Sequence, residues 1–221
     1  MISIFIPAFN EAGNLESTVQ NIRDAARDAG NVETEIIIVN DGSTDGTQDV
    51  IEGLEKKYSF IRSIRHEKNA GFGAGFRAAL AVARHEKFLV VPGDNDFPVS
   101  SIRSLFLNRD KADMAFLFFL NNEIRGRLRH MISSFFTLIY VTTFGVFVQY
   151  LNSPCVYKTS SLRRLRIRSS RFSIIAEVNT KMLRLGSTFC EVPGYRQNGL
   201  DGSTSLSFKN FLEVVSTYFK L

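Results

Sequence analysis

The chain has 221 residues, 44% apolar and 22% charged, which is long enough for one good-sized core and has the composition of an ordinary globular domain. Its formal net charge is +5, but Arg125, Arg127, Arg129, Lys158, Arg163, Arg164, Arg166, Arg168 and Arg171 form a run with no Asp or Glu among them. That local field suits phosphate groups or an anionic membrane face, and the absence of a helix-turn-helix, zinc or RNP-type motif argues against nucleic acid.

The chain opens with a short apolar run, Ile2 to Pro7, expected to be a strand, and no signal peptide precedes it, so export by that route is not expected. A loop, Ala8-Phe9-Asn10-Glu11, feeds a helix with Leu15, Val19, Ile22 and Ala26 at helical spacing. Glu35 to Val39 is too short for a helix and rich in β-branched residues, hence a second strand, and it ends in the polar turn Asn40 to Gly46. The helix that follows buries Val50, Ile51 and Leu54. A third strand at Ile61 to Arg65 leads into Lys68-Asn69-Ala70-Gly71-Phe72-Gly73-Ala74-Gly75 and an Ala-rich helix. GFGAG is not spaced as GxGxxG and follows the third strand, so its glycines read as a tight turn and close helix packing rather than a dinucleotide fingerprint.

The fourth strand, Phe88 to Val91, stops in Gly93-Asp94-Asn95-Asp96-Phe97-Pro98. Residues i and i+2 of an extended segment share a face, so Asp94 and Asp96 can converge on one hard cation, magnesium or manganese, of the kind that holds a diphosphate. Turn chemistry alone accounts for the same residues. Repeated strand, loop and helix predicts an α/β fold, a mostly parallel sheet flanked by helices, whose ligands sit at the carboxyl ends of the strands. Glu11, Asp41 and Asp94 all fall at such ends.

PAFNEAGNL, IIIVNDGSTDGT, KNAGFGAG and GDND together resemble the inverting family 2 glycosyltransferases of GT-A (Rossmann-like) fold. EVPGYRQNGLDGSTSL is similar, more loosely, to a segment of dolichol-phosphate mannosyltransferase-like enzymes, which load a sugar onto a polyprenyl phosphate. The resemblance implies a nucleotide-sugar site, with residues 1–120 as the donor half and 121–221 as the acceptor and membrane-facing half of one domain. Pro7, Phe9 and Glu11 would line base and ribose, Asp41 would accept from the nucleobase, and Asn69 and Gly71 would join the substrate contacts. Asp94 would face ribose and diphosphate, and Asp96 would bind Mg2+ or Mn2+. The sequence departs from this pattern twice. Phe97-Pro98 closes the segment where relatives often carry a further polar metal contact, and Asn152 stands where many have an Asp.

From Met131 to Tyr157 there is no charged residue, so a membrane span at Met131 to Leu151 has to be weighed. Interspersed Ser, Thr and Gln favour interfacial or core helices. Arg129 and Ser133 are four apart, share a helix face, and resemble an Arg and Ser that contact the acceptor phosphate. Glu177, in a helical stretch from Ile174 to Leu185, can be a base, an acceptor contact or a polar position without function. Strand-like Thr188 to Val192 leads to Arg196, a candidate diphosphate clamp, and to a Gly-flanked loop, Gly199 to Ser203, that suggests a lid. Ser207 to Leu221 forms an amphipathic C-terminal helix. The expectation is a peripheral enzyme on the cytoplasmic face of a membrane, with an oligomer possible, taking a nucleotide-sugar donor and a polyprenyl phosphate acceptor. A glycan-hydroxyl transferase, a silent scaffold member and a nucleotidyltransferase are the alternatives.

Overall fold

The computed structural model describes residues 1–121, 127–170, 173–197 and 218, without the side chains of 127–130 and 132. Seven strands alternate with helices: β1 (Ile2–Ala8), α1 (Leu15–Asp28), β2 (Thr34–Asp41), α2 (Thr47–Lys57), β3 (Ile61–His66), α3 (Phe72–Val82), β4 (Lys87–Val90), α4 (Val99–Asn108), β5 (Met114–Phe119), α5 (Arg127–Phe144), β6 (Cys155–Lys158), α6 (Thr159–Arg164), α7 (Ser173–Arg184) and β7 (Phe189–Gly194). Among the described residues they form one sheet in the order β3-β2-β1-β4-β6-β5-β7, parallel except for β6, which runs antiparallel between β4 and β5.

Side chains of successive strand residues point to opposite faces, so each strand feeds two cores. Ile2, Ile4 and Ile6 of β1 join Leu15, Val19, Ile51, Ile102 and Phe106 of α1, α2 and α4 on one face. Phe5 joins Ile37, Phe76, Phe88, Tyr140, Leu162 and Ile174 on the other, under α3, α5, α6 and α7. Phe5, Phe76 and Phe88 pack together here with centroids 5.4 to 6.5 Å apart. Pro7 lies inside β1, not at its end, and is tolerated because the ladder to β4 stops at Phe5 and Val90.

Topology places the ligand end of the sheet. The parallel strands β1, β2 and β4 deliver residues 9–11, 41 and 93–96 to one edge, and β7, parallel to β5, delivers Arg196 to the same edge. Because β6 is antiparallel, its amino end lies there too, and residues 152–154 enter the sheet beside the carboxyl end of β4.

The apolar run from Met131 to Leu151 is not one helix. Helix α5 stops at Phe144, Gly145 takes a left-handed φ of 65° and donates to Val141 O, and Val146, Val148 and Leu151 turn inward as buried core. Among the described residues no helix is long and apolar enough to cross a membrane. The expected loop at 199–203 and all of the expected terminal helix except Tyr218 lie outside the described residues.

Candidate nucleotide-sugar site

The loops after β1 and β2 are stitched together by side chains. Asn10 N–H donates to Ser43 Oγ (3.0 Å), Thr44 N–H to Asn10 Oδ1 (2.8 Å) and Glu11 N–H to Thr47 Oγ1 (2.8 Å). Asn10 adopts φ 59°, the left-handed conformation that Asn tolerates best among residues with a side chain. Phe9 stands exposed at the edge of this assembly and Pro7 is partly buried behind it.

Asp41 is buried, and its carboxylate organises the loop after β3. Oδ1 accepts from Ala70 N–H (2.9 Å), Oδ2 from Gly71 N–H (2.8 Å), and His66 Nδ1 lies 2.7 Å from Oδ1. The 69–71 loop is therefore held against the end of β2, with Asn69 at its exposed side and Gly71 in a left-handed conformation (φ 88°) that starts α3. The glycines of GFGAG act in packing. A Cβ on Gly73 would lie 2.6 Å from the carbonyl carbon of Ser170, whose oxygen accepts from Gly73 N–H at 2.9 Å.

The turn after β4 is clamped from α1. Thr18 Oγ1 donates to Gly93 O (3.1 Å), and Asn21 Nδ2 donates to Asn95 Oδ1 (2.8 Å) and Phe97 O (3.3 Å). Gly93 passes so close to β1 that a Cβ there would be 2.8 Å from Pro7 O. Within the turn, Asp96 N–H donates to Asp94 Oδ1 (3.1 Å). Glu11 shares this space: burial pushes its carboxyl above the usual range, and although Asn14 opposes this through a hydrogen bond, nearby Asp94 and Asp45 push it further up. Glu11 and Asp94 are thus neighbours whose charges repel, a place that favours a cation.

Asp96 is buried, and its Oδ2 is ion-paired with Arg196 Nη1. The guanidinium lies over the Phe119 ring, 3.7 Å from its centroid, and Phe119 packs on Phe97. Asn121 fixes the Arg196 backbone reciprocally, accepting from its N–H at Oδ1 (2.9 Å) and donating from Nδ2 to its carbonyl (2.9 Å). Among the described residues no three His, Cys, Asp or Glu side chains converge as a metal cage. Magnesium is commonly held by one or two carboxylates plus substrate phosphates, and Asp96 already holds a cation out of water. The donor set therefore fits a divalent ion whose remaining ligands come from a diphosphate.

Glu177 stands apart from this cluster. It is buried in α7 and accepts from Lys181 Nζ, from Arg168 N–H (3.0 and 3.1 Å) and from Ser169 N–H (2.8 Å). Burial alone would raise its carboxyl, but the bonds from Lys181, Ser169 and Arg168 together bring it below the usual range. Ser133 is partly buried on α5, while Arg125 and the side chains of Arg127 and Arg129 lie outside the described residues. Asn152 shortly precedes β6, whose amino end lies beside the carboxyl end of β4, and among the described residues its buried Oδ1 accepts no hydrogen bond.

Thr18, Asn21, Phe119 and Asn121 were not singled out by sequence reasoning. A signal existed for two of them, since Thr18 and Asn21 are three apart on α1, hence on one face, and put polar groups beside Val19 and Ile22.

The fold is similar to that of glucosyl-3-phosphoglycerate synthase from Mycobacterium tuberculosis in complex with uridine diphosphate, with a TM-score of 0.77 and 17% identity over 100% of this chain and 79% of that one. The same enzyme with Mn2+, uridine diphosphate and phosphoglyceric acid gives a TM-score of 0.72 and 18% identity, covering 100% and 78%. At such identity the likeness is one of fold, the GT-A arrangement of a mostly parallel sheet between helical layers. Similar curated proteins include the cholesterol galactosyltransferase of Borreliella burgdorferi, 35% identical over 113 residues, 51% of this chain and 30% of that protein. Another is a dolichyl-phosphate beta-glucosyltransferase of Trichomonas vaginalis, 32% identical over 104 residues, 45% of this chain and 31% of that protein. The matched stretches thus span less than a third of either relative's own length. Residues 3–171, most of the chain and every strand end that carries a site acid before β7, match Glycosyl transferase family 2, and the chain belongs to that family.

Proposed function

We propose that this glycosyltransferase is inverting and metal-dependent, and that it moves a sugar from a UDP- or GDP-linked donor to a polyprenyl phosphate. The observation that carries the acceptor class is the condition of Glu177. A sugar or sterol hydroxyl needs a carboxylate placed as general base. Of the two candidate bases, Glu177 is held as an anion by Lys181 and two backbone amides inside the fold, while Asp201 lies outside the described residues, and Asn152 has an amide that cannot take a proton at neutral pH. A phosphate monoester needs no base, because its second pKa is near 6 and it is already largely dianionic.

In this reading Asp94 and Asp96 hold Mg2+ or Mn2+, which neutralises charge building on the leaving diphosphate. Asp41 fixes the 69–71 loop against the donor, with Pro7, Phe9 and Glu11 on the other side of the nucleoside. Arg196 supplies positive charge at the diphosphate, and Asn152 Oδ1 accepts from a sugar hydroxyl. An acceptor phosphate oxygen attacks the anomeric carbon in line, the bond to the nucleoside diphosphate breaks, and the electron pair leaves with the diphosphate, so the anomeric configuration inverts. Arg129 and Ser133 would receive the acceptor phosphate.

The test offers one enzyme preparation, with Mn2+ and UDP- or GDP-linked sugars, a short-chain polyprenyl phosphate, a sterol, phosphoglycerate and a panel of free glycans. Product is expected on the polyprenyl phosphate. Transfer confined to any of the hydroxyl acceptors would refute the phosphate reading.

A lipid acceptor implies a membrane surface. Met131, Phe135 and Leu138 are exposed on α5, Phe147 is exposed beyond it, and Arg163, Arg164, Arg166 and Arg168 are exposed on and after α6, in the helical layer on the same face of the sheet. Such a surface would hold the enzyme peripherally to an anionic, cytoplasm-facing leaflet. In flotation, binding to vesicles containing phosphatidylserine is expected, and raising salt from about 0.1 to 1 M, which shortens the screening length from about 10 to 3 Å, should release most of it. Equal binding to neutral vesicles at both salt concentrations would remove the basic surface from the account.

A further inference from the structure

Arg196 and Asp96 are 100 residues apart in sequence, yet both are almost wholly buried and paired. A carboxylate taken out of water is costly unless a cation or hydrogen-bond donors satisfy it. In the fold as described that cation is a guanidinium, sandwiched between Asp96 and the Phe119 ring.

The backbone around Arg196 is fixed independently of this ion pair. Tyr195 N–H and O both bond Ser101 Oγ (2.8 Å each), Arg196 N–H and O bond the Asn121 carboxamide, and Gln197 N–H donates to Asp96 O (2.8 Å). The Arg196 side chain can therefore leave Asp96 by rotating, while its main chain stays anchored. Its natural destination is the anion that arrives with a metal ion.

We propose that a divalent cation and the Arg196 guanidinium are alternative partners of the Asp96 carboxylate, so that cation entry releases Arg196 to the diphosphate. This rests on the reading above that Asp96 faces the metal. Two positive groups on one buried carboxylate repel, so a metal ion alone must displace Arg196 with no anion to receive it. A metal ion arriving with a nucleoside diphosphate replaces one ion pair with two. Metal and nucleotide therefore bind cooperatively, and Arg196 is the element that couples them; by linkage each raises the other's affinity by the same factor.

The experiment titrates Mn2+ by electron paramagnetic resonance, alone and with saturating UDP or GDP, into the wild type, Arg196→Ala, Asp96→Asn and Phe119→Leu, each checked for folding by circular dichroism. Arg196→Ala is expected to bind Mn2+ alone about tenfold more tightly than the wild type and to lose most of the enhancement by nucleotide. Phe119→Leu removes the ring under the guanidinium without changing charge and should tighten Mn2+ alone by about threefold, and it decides the matter should Arg196→Ala not fold. Mn2+ affinity unchanged in both variants, with binding abolished by Asp96→Asn, would overturn the exchange and leave the metal reading standing. No Mn2+ binding to any of the proteins, with or without nucleotide, would overturn the metal reading and the exchange together.

Discussion

Asp96→Asn is expected to lower sugar transfer by about three orders of magnitude, while Asp94→Asn lowers it less. A divalent ion contributes several kcal/mol of charge stabilisation at a leaving diphosphate, and each 1.36 kcal/mol is a factor of ten in rate. Asp96 is the buried member of the pair, facing the Arg196 cation, whereas Asp94 is half-buried and its Oδ1 serves the turn by accepting from Asp96 N–H. An Asn at 94 keeps that acceptor oxygen, and an Asn at 96 keeps size and hydrogen bonding while removing charge. Both Asp96→Ala and Asp96→Asn leave Arg196 buried without its carboxylate, which costs about 3–5 kcal/mol of stability for the alanine, but the Asn amide oxygen still accepts from the guanidinium and keeps the loss smaller. The measurement is the rate of transfer from UDP- and GDP-linked sugars against Mn2+ concentration, with melting temperature recorded for each variant. Mn2+-stimulated transfer at the wild-type rate in a folded Asp96→Asn protein would mean that the metal is held elsewhere.

Glu177→Ala is expected to act on the fold. The substitution leaves the amides of Arg168 and Ser169 without their acceptor and takes the carboxylate from Lys181 Nζ, which keeps Arg166 O. The loss should be about 3 kcal/mol, the low end for breaking a buried pair because Lys181 is partly solvated, and lower the melting temperature by about 6–12 °C. Its effect travels, because the same segment supplies Ser170 O to Gly73 N–H at the start of α3, beside the loop that Asp41 holds, and Ser169 O to Arg77 in the middle of that helix. The pH dependence has a definite sign. The Glu177 carboxyl titrates below its ordinary value in the folded protein, so its contribution is fully present above the unfolded value of about 4.3 and is lost as pH falls through the folded one. The gap in melting temperature between wild type and Glu177→Gln should therefore be constant near neutrality and narrow below about pH 4. A Glu177→Ala protein that melts like the wild type but no longer transfers sugar would return Glu177 to the role of base.

Local patterns in the chain are enough to read the donor half. Ile2 to Ile6 and Glu35 to Val39 are largely apolar runs too short for helices, and each leads within a few residues into a polar loop, Asn10-Glu11 and Asn40-Asp41, which is how a buried parallel strand must end if its loop reaches solvent. Helices α1 and α2 follow from apolar positions and α3 from its Ala-rich composition, and Glu11, Asp41 and Asp94 fall at strand ends because the loops between elements are short. The second half was less legible. MAFLFF of β5 is an apolar run without period, CVYK of β6 spans only Cys155–Lys158, and nothing within either says that β6 inverts and inserts between β4 and β5.

By itself, then, the sequence determined an α/β chain with carboxylates at the ends of parallel strands, because burial and turn chemistry are written at spacings of two to four residues. Only the tertiary structure decided what those carboxylates touch. Asp41 gives its oxygens to the amides of Ala70 and Gly71 and Asp96 to an arginine that follows β7, while Glu177, on helix α7, is taken by Lys181 and the 168–169 amides. Each of these pairings is set by strand order and by which groups burial removes from water together, and a buried charge takes whichever partner the fold brings within reach.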